Sequence, residues 1–222
     1  MKLESIKSEI PEFLYETIKK KGIKELRPAQ KKAIDAELLK RKNVLVVTPT
    51  SSGKTLIAEL AALTSILNKI GKAIYIAPLK SLATEKYKEF KQAYGDKIKI
   101  ALSIGDMDEA DPHLHSQDLI ITTSEKLDSL IRHRVDWLKD VAAIIVDEIH
   151  LLNDPGRGPT LEILITILKE ILPKVQIIGL SATIGNPKQL AKWLNAELVE
   201  DDWRPVKLYK GTYLKEKIEL KD

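Results

Sequence analysis

The stretch Val44-Leu45-Val46-Val47-Thr48-Pro49-Thr50-Ser51-Ser52-Gly53-Lys54-Thr55 decides how this chain is read. Its first part is a run of β-branched and aliphatic residues, the pattern of a strand buried on both faces. A loop of small residues follows, and Thr55–Ile70 then has helical spacing. Strand, small-residue loop and helix in that order make a phosphate cradle, because the loop N–H groups and the positive end of the helix face the anion. Lys54 is expected to reach the β- and γ-phosphates, and the Thr55 hydroxyl to ligate Mg²⁺. Gly53 lets the backbone approach without a Cβ, and Thr50, Ser51 and Ser52 complete the cradle. The usual pattern opens with glycine where this chain has Thr48. The alternative is a plain polar turn; Gly-Lys-Thr between a strand and a helix weighs against it.

Outward from this stretch, two kinds of segment alternate. Apolar runs at Ala73–Pro78, Ile98–Ser103, Asp118–Thr123, Ala142–Asp147 and Val175–Ser181 read as strands. Ser81–Tyr94, Ser124–His133, Thr160–Ile171 and Pro187–Leu194 read as helices. The alternation predicts successive βαβ units: an α/β fold with a mainly parallel sheet and helices on both faces. Two further helices, Glu12–Lys21 and Ala29–Lys40, precede the first strand, with Gly22 and Pro28 as punctuation. Val206–Tyr209 reads as a late strand, and Leu214–Asp222 as a short charged tail. The expected organisation is one domain over 1–222, with N-terminal helices at 1–42, a core at 43–200 and an exit segment at 201–222.

Composition bounds the rest. Of the 222 residues, 44% are hydrophobic and 31% charged, ordinary for a soluble globular domain. With 5% aromatics, aliphatic residues must build the core. The net charge of +4 suits a phosphate-rich partner, but equally a solvated Lys/Glu surface. The absence of cysteine excludes disulfides and thiolate metal sites. No apolar run approaches the roughly 20 residues of a membrane span, and the first residues lack a signal-peptide core, so a cytoplasmic protein without a membrane partner is expected.

A second chemical cluster follows the strand Ala142–Asp147, which runs into Asp147-Glu148-Ile149-His150. Ligands in open α/β sheets bind beyond the carboxyl ends of strands. There Asp147 can hold Mg²⁺ and Glu148 can orient and deprotonate the water that attacks a γ-phosphate. Two acids after a strand are often only a helix cap; here they do not stand alone, and His150 just after them discriminates better than either acid. His150 is placed to sense the γ-phosphate. His113 and His115 stand two apart, but without a third ligand nearby they read as a polar loop. Trp137, Trp193 and Trp203 read as packing residues.

Thr48–Thr55, Asp-Glu-Ile-His at 147–150 and Ser181-Ala182-Thr183 after a strand together resemble motifs I, II and III of superfamily 2 helicases, in the DExH branch. Arg157–Glu162, Ser181–Pro187 and Asp202-Trp203-Arg204-Pro205-Val206 are similar to the superkiller-like group, and within it to the archaeal Hjm-type DNA helicases that act at stalled forks. The likeness runs over roughly 10–211. It implies a RecA-like P-loop NTPase domain, ATP and Mg²⁺ as cofactors, and a helicase ATPase acting in DNA repair and fork processing with 3′–5′ polarity. Arg27-Pro28-Ala29-Gln30 resembles the Q motif, which makes Gln30 the adenine reader. Leu26 stands where an aromatic often stacks, which implies looser base selectivity. Ser181 and Thr183 would couple hydrolysis to movement together with His150.

The resemblance also implies a path for single-stranded or forked DNA, or for RNA. Ala77–Leu82 is similar to motif Ia; Ser103-Ile104-Gly105-Asp106 and Thr122–Lys126 are similar to strand-gripping motifs. Pro78, Lys80, Gly105, Thr123 and Lys126 are the residues expected to touch the sugar–phosphate backbone, which positions a strand without reading its sequence. Motifs IV to VI, the arginine finger of a second RecA-like domain and the accessory domains are not in these residues. The sequence is therefore expected to be the first half of a motor, nearly inactive alone. The rival readings are an RNA helicase domain of the same group and an ATP-binding switch that does not translocate. A P-loop kinase has no use for Ser-Ala-Thr or Gln30.

Overall fold

The computed structural model describes residues 1–105, 111–206, 210–214 and 217–221, with side chains described through residue 206. Helices α1 (Glu12–Lys20) and α2 (Pro28–Asp35) lead into strand β1 (Val44–Val47) and helix α3 (Lys54–Leu67). Then come β2 (Lys72–Ala77), α4 (Lys80–Tyr94), β3 (Ile100–Ser103), β4 (Leu119–Thr123), α5 (Ser124–Arg132) and β5 (Val141–Val146). The chain continues through α6 (Gly158–Ile171), β6 (Gln176–Ser181), α7 (Pro187–Leu194) and β7 (Glu197–Glu200). A hairpin, β8 (Lys210–Leu214) and β9 (Lys217–Lys221), follows.

Strands β1 to β7 form one sheet in the order β3-β4-β2-β5-β6-β1-β7, and every pairing in it is parallel. Parallel strands buried on both faces need apolar residues at every position, and β1, β4, β5 and β6 are buried throughout. Their side chains alternate between two cores. Val44, Val46, Tyr75, Ile121 and Ile145 join α1 to α4 on one face. Leu45, Val47, Ile74, Ile120 and Ile144 join α5 to α7 on the other. The split follows from right-handed crossovers. The connections β1–β2 and β2–β3 run one way along the sheet, whereas β4–β5, β5–β6 and β6–β7 run the other way.

The N-terminal helices are tied in by a partly buried polar cluster. Lys21 Nζ donates to Glu59 Oε1 at 2.6 Å, and the Tyr94 hydroxyl donates to Glu59 Oε2 at 2.9 Å. The three residues join the end of α1 to α3 and α4, and each buried polar group has a partner.

Three features differ from the sequence reading. The helix expected over Ala29–Lys40 stops at Asp35, and Glu37 (φ 61°) and Arg41 (φ 68°) are left-handed around a short 3₁₀ turn, Leu38–Lys40. That break buries Leu38, whose carbonyl accepts from Gln176 Nε2 at 2.8 Å. Strand β7 was not legible, since only Val199 in Glu197–Glu200 is buried; it is a short acidic edge strand. The tail contains the antiparallel β8–β9 hairpin. Of the strand expected at Val206–Tyr209, Val206 lies in an exposed bend and 207–209 lie outside the described residues.

Candidate nucleotide and strand-binding site

The sheet order creates the site. The loop after β1 turns toward the α3 face, while β6 beside it and β5 one strand further feed helices on the opposite face. A crevice opens where the connections diverge, at the carboxyl ends of the strands. A cleft of about 380 Å³ lies there, lined among others by Arg27, Thr50, Lys54, Thr55, Asp147 and Glu148. The two motifs read from the sequence therefore meet at one cleft, 93 positions apart between Lys54 and Asp147 (147 − 54).

The loop is preshaped. Ser51 (φ 63°) and Gly53 (φ 94°) are both left-handed. A Cβ on Gly53 would lie 2.5 Å from Gln30 Nε2 and 3.1 Å from Arg27 Cδ, so both conformation and space demand glycine. Thr48, which replaces the usual glycine, is useful here: its hydroxyl is 2.6 Å from that of Ser52 and closes the loop. Lys54 folds back, with Nζ donating to the carbonyls of Thr48 (3.1 Å) and Pro49 (3.4 Å). Burial lowers its pKa, against the opposing charges of Glu148 and Asp147. A cation held by weak carbonyl contacts between two acids is ready to exchange them for phosphate oxygens.

The acidic pair is equally specific. Asp147 N–H continues the β2–β5 ladder by donating to Ile76 O at 2.9 Å. Asp147 Oδ2 accepts from the Tyr75 hydroxyl at 2.6 Å, and Oδ1 from Glu148 N–H at 3.0 Å. Burial first, and then the Asp147 charge, pushes the Tyr75 phenol well above its ordinary value, which keeps it a donor. Glu148 is left-handed at φ 49°, a conformation costly for glutamate and concentrated at functional sites. His150 Nδ1 lies 3.2 Å from Glu148 Oε2 and accepts from Ala182 N–H at 3.4 Å. One nitrogen cannot both donate to Glu148 and accept from Ala182, so the contacts are alternatives. Unless Nδ1 carries the proton, Glu148 Oε2 is a buried acceptor without a donor.

The residues fit a Mg²⁺-nucleotide: a preshaped N–H loop, a lysine on temporary acceptors, a threonine at the helix start and a held carboxylate. Four sequence expectations change.

Gln30 does not read a base in this arrangement. It is 3% exposed, its Oε1 accepts from Arg27 N–H at 2.8 Å and its Nε2 donates to Gly53 O at 2.9 Å. It ties α2 to the phosphate loop.

The Ser181 hydroxyl donates to Ala182 O at 2.8 Å and Thr183 is exposed, so the link between the third motif and the acids runs through the Ala182 backbone and His150 instead.

Lys126 is 1% exposed, and its Nζ lies 3.3 Å from Asp111 Oδ2, which also accepts from Ser103 Oγ at 2.6 Å. Thr123 is buried and caps α5, its hydroxyl 3.5 Å from Lys126 N. Both lie inside the protein, Thr123 at the start of α5 and Lys126 against Asp111. Pro78, Lys80 and Gly105 do lie at the accessible ends of β2 and β3, with Lys80 and Gly105 exposed; Asp106 lies outside the described residues.

Trp203 is not interior packing. It is 38% exposed, with the Arg27 guanidinium 5.4 Å from its ring centroid. Arg27 itself donates to Ser51 O at 2.6 Å. Sequence reading also missed Tyr75, which is buried behind Asp147, and Glu85 and Lys86 of α4, which line the cleft. None carries a motif signal; only the β2–α4 geometry brings them there.

Comparison with known proteins gives a concordant result. Residues 27–190 match the DEAD/DEAH box helicase family. The chain is 59% identical over 216 residues to the ATP-dependent DNA helicase Hel308 of Methanocaldococcus jannaschii, covering 93% of this chain and 18% of that protein. It is 50% identical over 213 residues to the Hel308 of Pyrococcus horikoshii, covering 96% of this chain and 29% of that one. A crystal structure of the helicase MrfA bound to DNA superimposes with a TM-score of 0.76 at 30% identity, over 87% of this chain and 30% of that one. The chain thus spans less than a third of each of these proteins. Among the described residues no helix is long and apolar enough to cross a membrane. With a phosphate loop, an Asp-Glu-x-His carboxylate pair and a Ser-Ala-Thr segment gathered on one edge of a parallel sheet, this chain belongs to the DEAD/DEAH box helicase family.

Proposed function

We propose that the chain is the ATP-binding motor domain of a Mg²⁺-dependent DNA helicase, working in DNA repair and fork processing. The observation that carries this reading is that Lys54, Asp147 and Glu148 share one cleft at the sheet edge where β2 runs on through Pro78 to Lys80 at the start of α4. Nucleotide and strand then bind at adjacent strand ends, so movement at one reaches the other.

In this reading Lys54 leaves the Thr48 and Pro49 carbonyls and neutralises the β- and γ-phosphates. The loop N–H groups would hold phosphate oxygens, and Thr55 and Asp147 would hold Mg²⁺, which would supply charge neutralisation at the transferring phosphoryl group. Glu148 orients the attacking water and accepts its proton. His150 changes partner between Glu148 and Ala182, a two-state element of the kind that coupling requires. Lys80 supports a strand by its phosphates, without base reading. DNA is favoured over RNA because the relatives above carry the name DNA helicase and MrfA was solved on DNA.

Calorimetry on this chain tests the reading. ATP with Mg²⁺ should bind, and Lys54→Ala should weaken binding about ten- to hundredfold, the worth of a charged hydrogen bond. Unchanged affinity would remove the nucleotide assignment. Titration with matched DNA and RNA single strands separates the two substrates, and equal or stronger RNA binding would favour an RNA helicase.

A further inference from the structure

Tyr75 is the one polar side chain on β2 that points into the α3–α4 core. It is 1% exposed, and its ring meets Phe90 of α4 edge-on at 5.8 Å. Packing alone would be served as well by phenylalanine. A buried hydroxyl without a partner costs roughly 1–3 kcal/mol; this one has a partner, Asp147 Oδ2 at 2.6 Å. The bond spans two neighbouring strands: Tyr75 is in register with Ile145, and its side chain reaches the residue two positions further on.

The other Asp147 oxygen accepts from Glu148 N–H, and the Asp147 backbone is fixed by Ile76 O. The carboxylate is therefore held at three points before any ligand arrives. Each oxygen still has a free lone pair for a metal ion or its water. A carboxylate fixed in this way pays little entropy on meeting a metal, and outer partners that fix metal ligands typically govern affinity.

We propose that Tyr75 is the positioning residue for the metal-binding carboxylate: its hydroxyl sets the rotamer of Asp147 for Mg²⁺. This rests on the reading of Asp147 as a metal ligand. Tyr75 also stands on β2, three residues before Pro78 and five before Lys80, the first residue of α4. The Tyr75 hydroxyl thus links the carboxylate after β5 to the β2–α4 connection that carries the proposed strand contact, and Phe90 of the same α4 braces the ring.

Tyr75→Phe removes the hydroxyl and keeps the ring against Phe90. The measurement is ADP binding by this chain as MgCl₂ is titrated, with thermal melts alongside. ADP affinity without Mg²⁺ should stay unchanged, while the Mg²⁺ concentration giving half of the Mg²⁺-dependent gain should rise about tenfold, the lower end for loss of an outer partner. In an Asp147→Asn background, adding Tyr75→Phe should change nothing further, because the two act as a unit. An unshifted Mg²⁺ midpoint overturns the inference. So does an equal shift in the Asp147→Asn background, or a loss of ADP affinity without Mg²⁺ that matches the loss with it, since either means general loosening. If the wild-type chain binds ADP without any Mg²⁺ dependence, the metal reading of Asp147 fails first, a result visible before any variant is made.

Discussion

Gln30 Nε2 and the carbonyl of Gly53 are hydrogen-bonded at 2.9 Å, and the other end of the same amide accepts from Arg27 N–H. The amide is thereby spent on the phosphate loop. Gln30→Ala should weaken ATP and GTP alike, by about fivefold for one net hydrogen bond. Competition titrations with both nucleotides check this. A loss confined to ATP would mean that the amide turns outward to read adenine when nucleotide binds.

Glu148 is held left-handed beside the Asp147 carboxylate, 3.2 Å from His150. Glu148→Gln should leave Mg²⁺-ATP affinity within about twofold and lower turnover in the assembled motor by roughly 10²–10⁴, the usual contribution of a general base. Binding isotherms and steady-state hydrolysis measure the two separately. Normal turnover would assign the water to another residue.

Lys80 and Lys126 should behave differently although both sit in strand-gripping motifs. Lys80 is exposed, so Lys80→Ala should weaken single-strand binding evenly across sequences and reduce the salt slope by about one counterion. Lys126 is buried against Asp111, so Lys126→Ala removes the cation beside that carboxylate, leaves it the Ser103 hydroxyl, and should cost roughly 3 kcal/mol of stability. Melts and strand titrations at several salt concentrations distinguish the two. A stable Lys126→Ala with a reduced salt slope would show that this lysine swings out to the strand.

Hydrogen bonds from Lys40 and Lys42, and then their charges, hold the exposed Glu37 carboxyl down to about 2 from 4.5. A depressed carboxyl adds stability above its unfolded value, and that contribution is lost as pH falls from 4.5 toward 2. Glu37→Gln should therefore lower the Tm slightly near neutral pH and not near pH 2. At an exposed site the effect is small and salt should erase it. An equal change at both pH values would point to the left-handed backbone of Glu37 instead.

Arg27 is the one arginine lining the cleft among the described residues, and it is committed to Ser51 O. No guanidinium is left to meet charge on the transferring phosphoryl group, a contribution of roughly 10³–10⁵ in related reactions. This chain by itself should hydrolyse ATP very slowly, without stimulation by single-stranded DNA and without unwinding forks. Fast, DNA-stimulated turnover that disappears in Glu148→Gln would show that copies of the chain complete one another's sites.

The local sequence by itself determined the elements and most of the chemistry. Apolar runs separated by helical spacing could only become buried parallel strands with crossovers. Gly53-Lys54-Thr55 after β1 and Asp147-Glu148 after β5 marked the proposed phosphate and metal groups, because the residue types at those strand ends are legible in the chain. Long-range contacts decided the rest. Gln30, Thr123 and Lys126 looked like ligand contacts in their motifs, yet each is claimed by a partner: Gly53 for Gln30, the α5 N-terminus for Thr123, Asp111 for Lys126. Tyr75 carries no motif and reaches Asp147 only because β2 pairs with β5 across 72 positions. A short edge strand such as β7 has too little buried surface to leave a hydrophobic pattern, and forms because β1 offers it a ladder. A polar side chain's residue type says what it can bond; only the packed sheet says which partner comes within 3 Å.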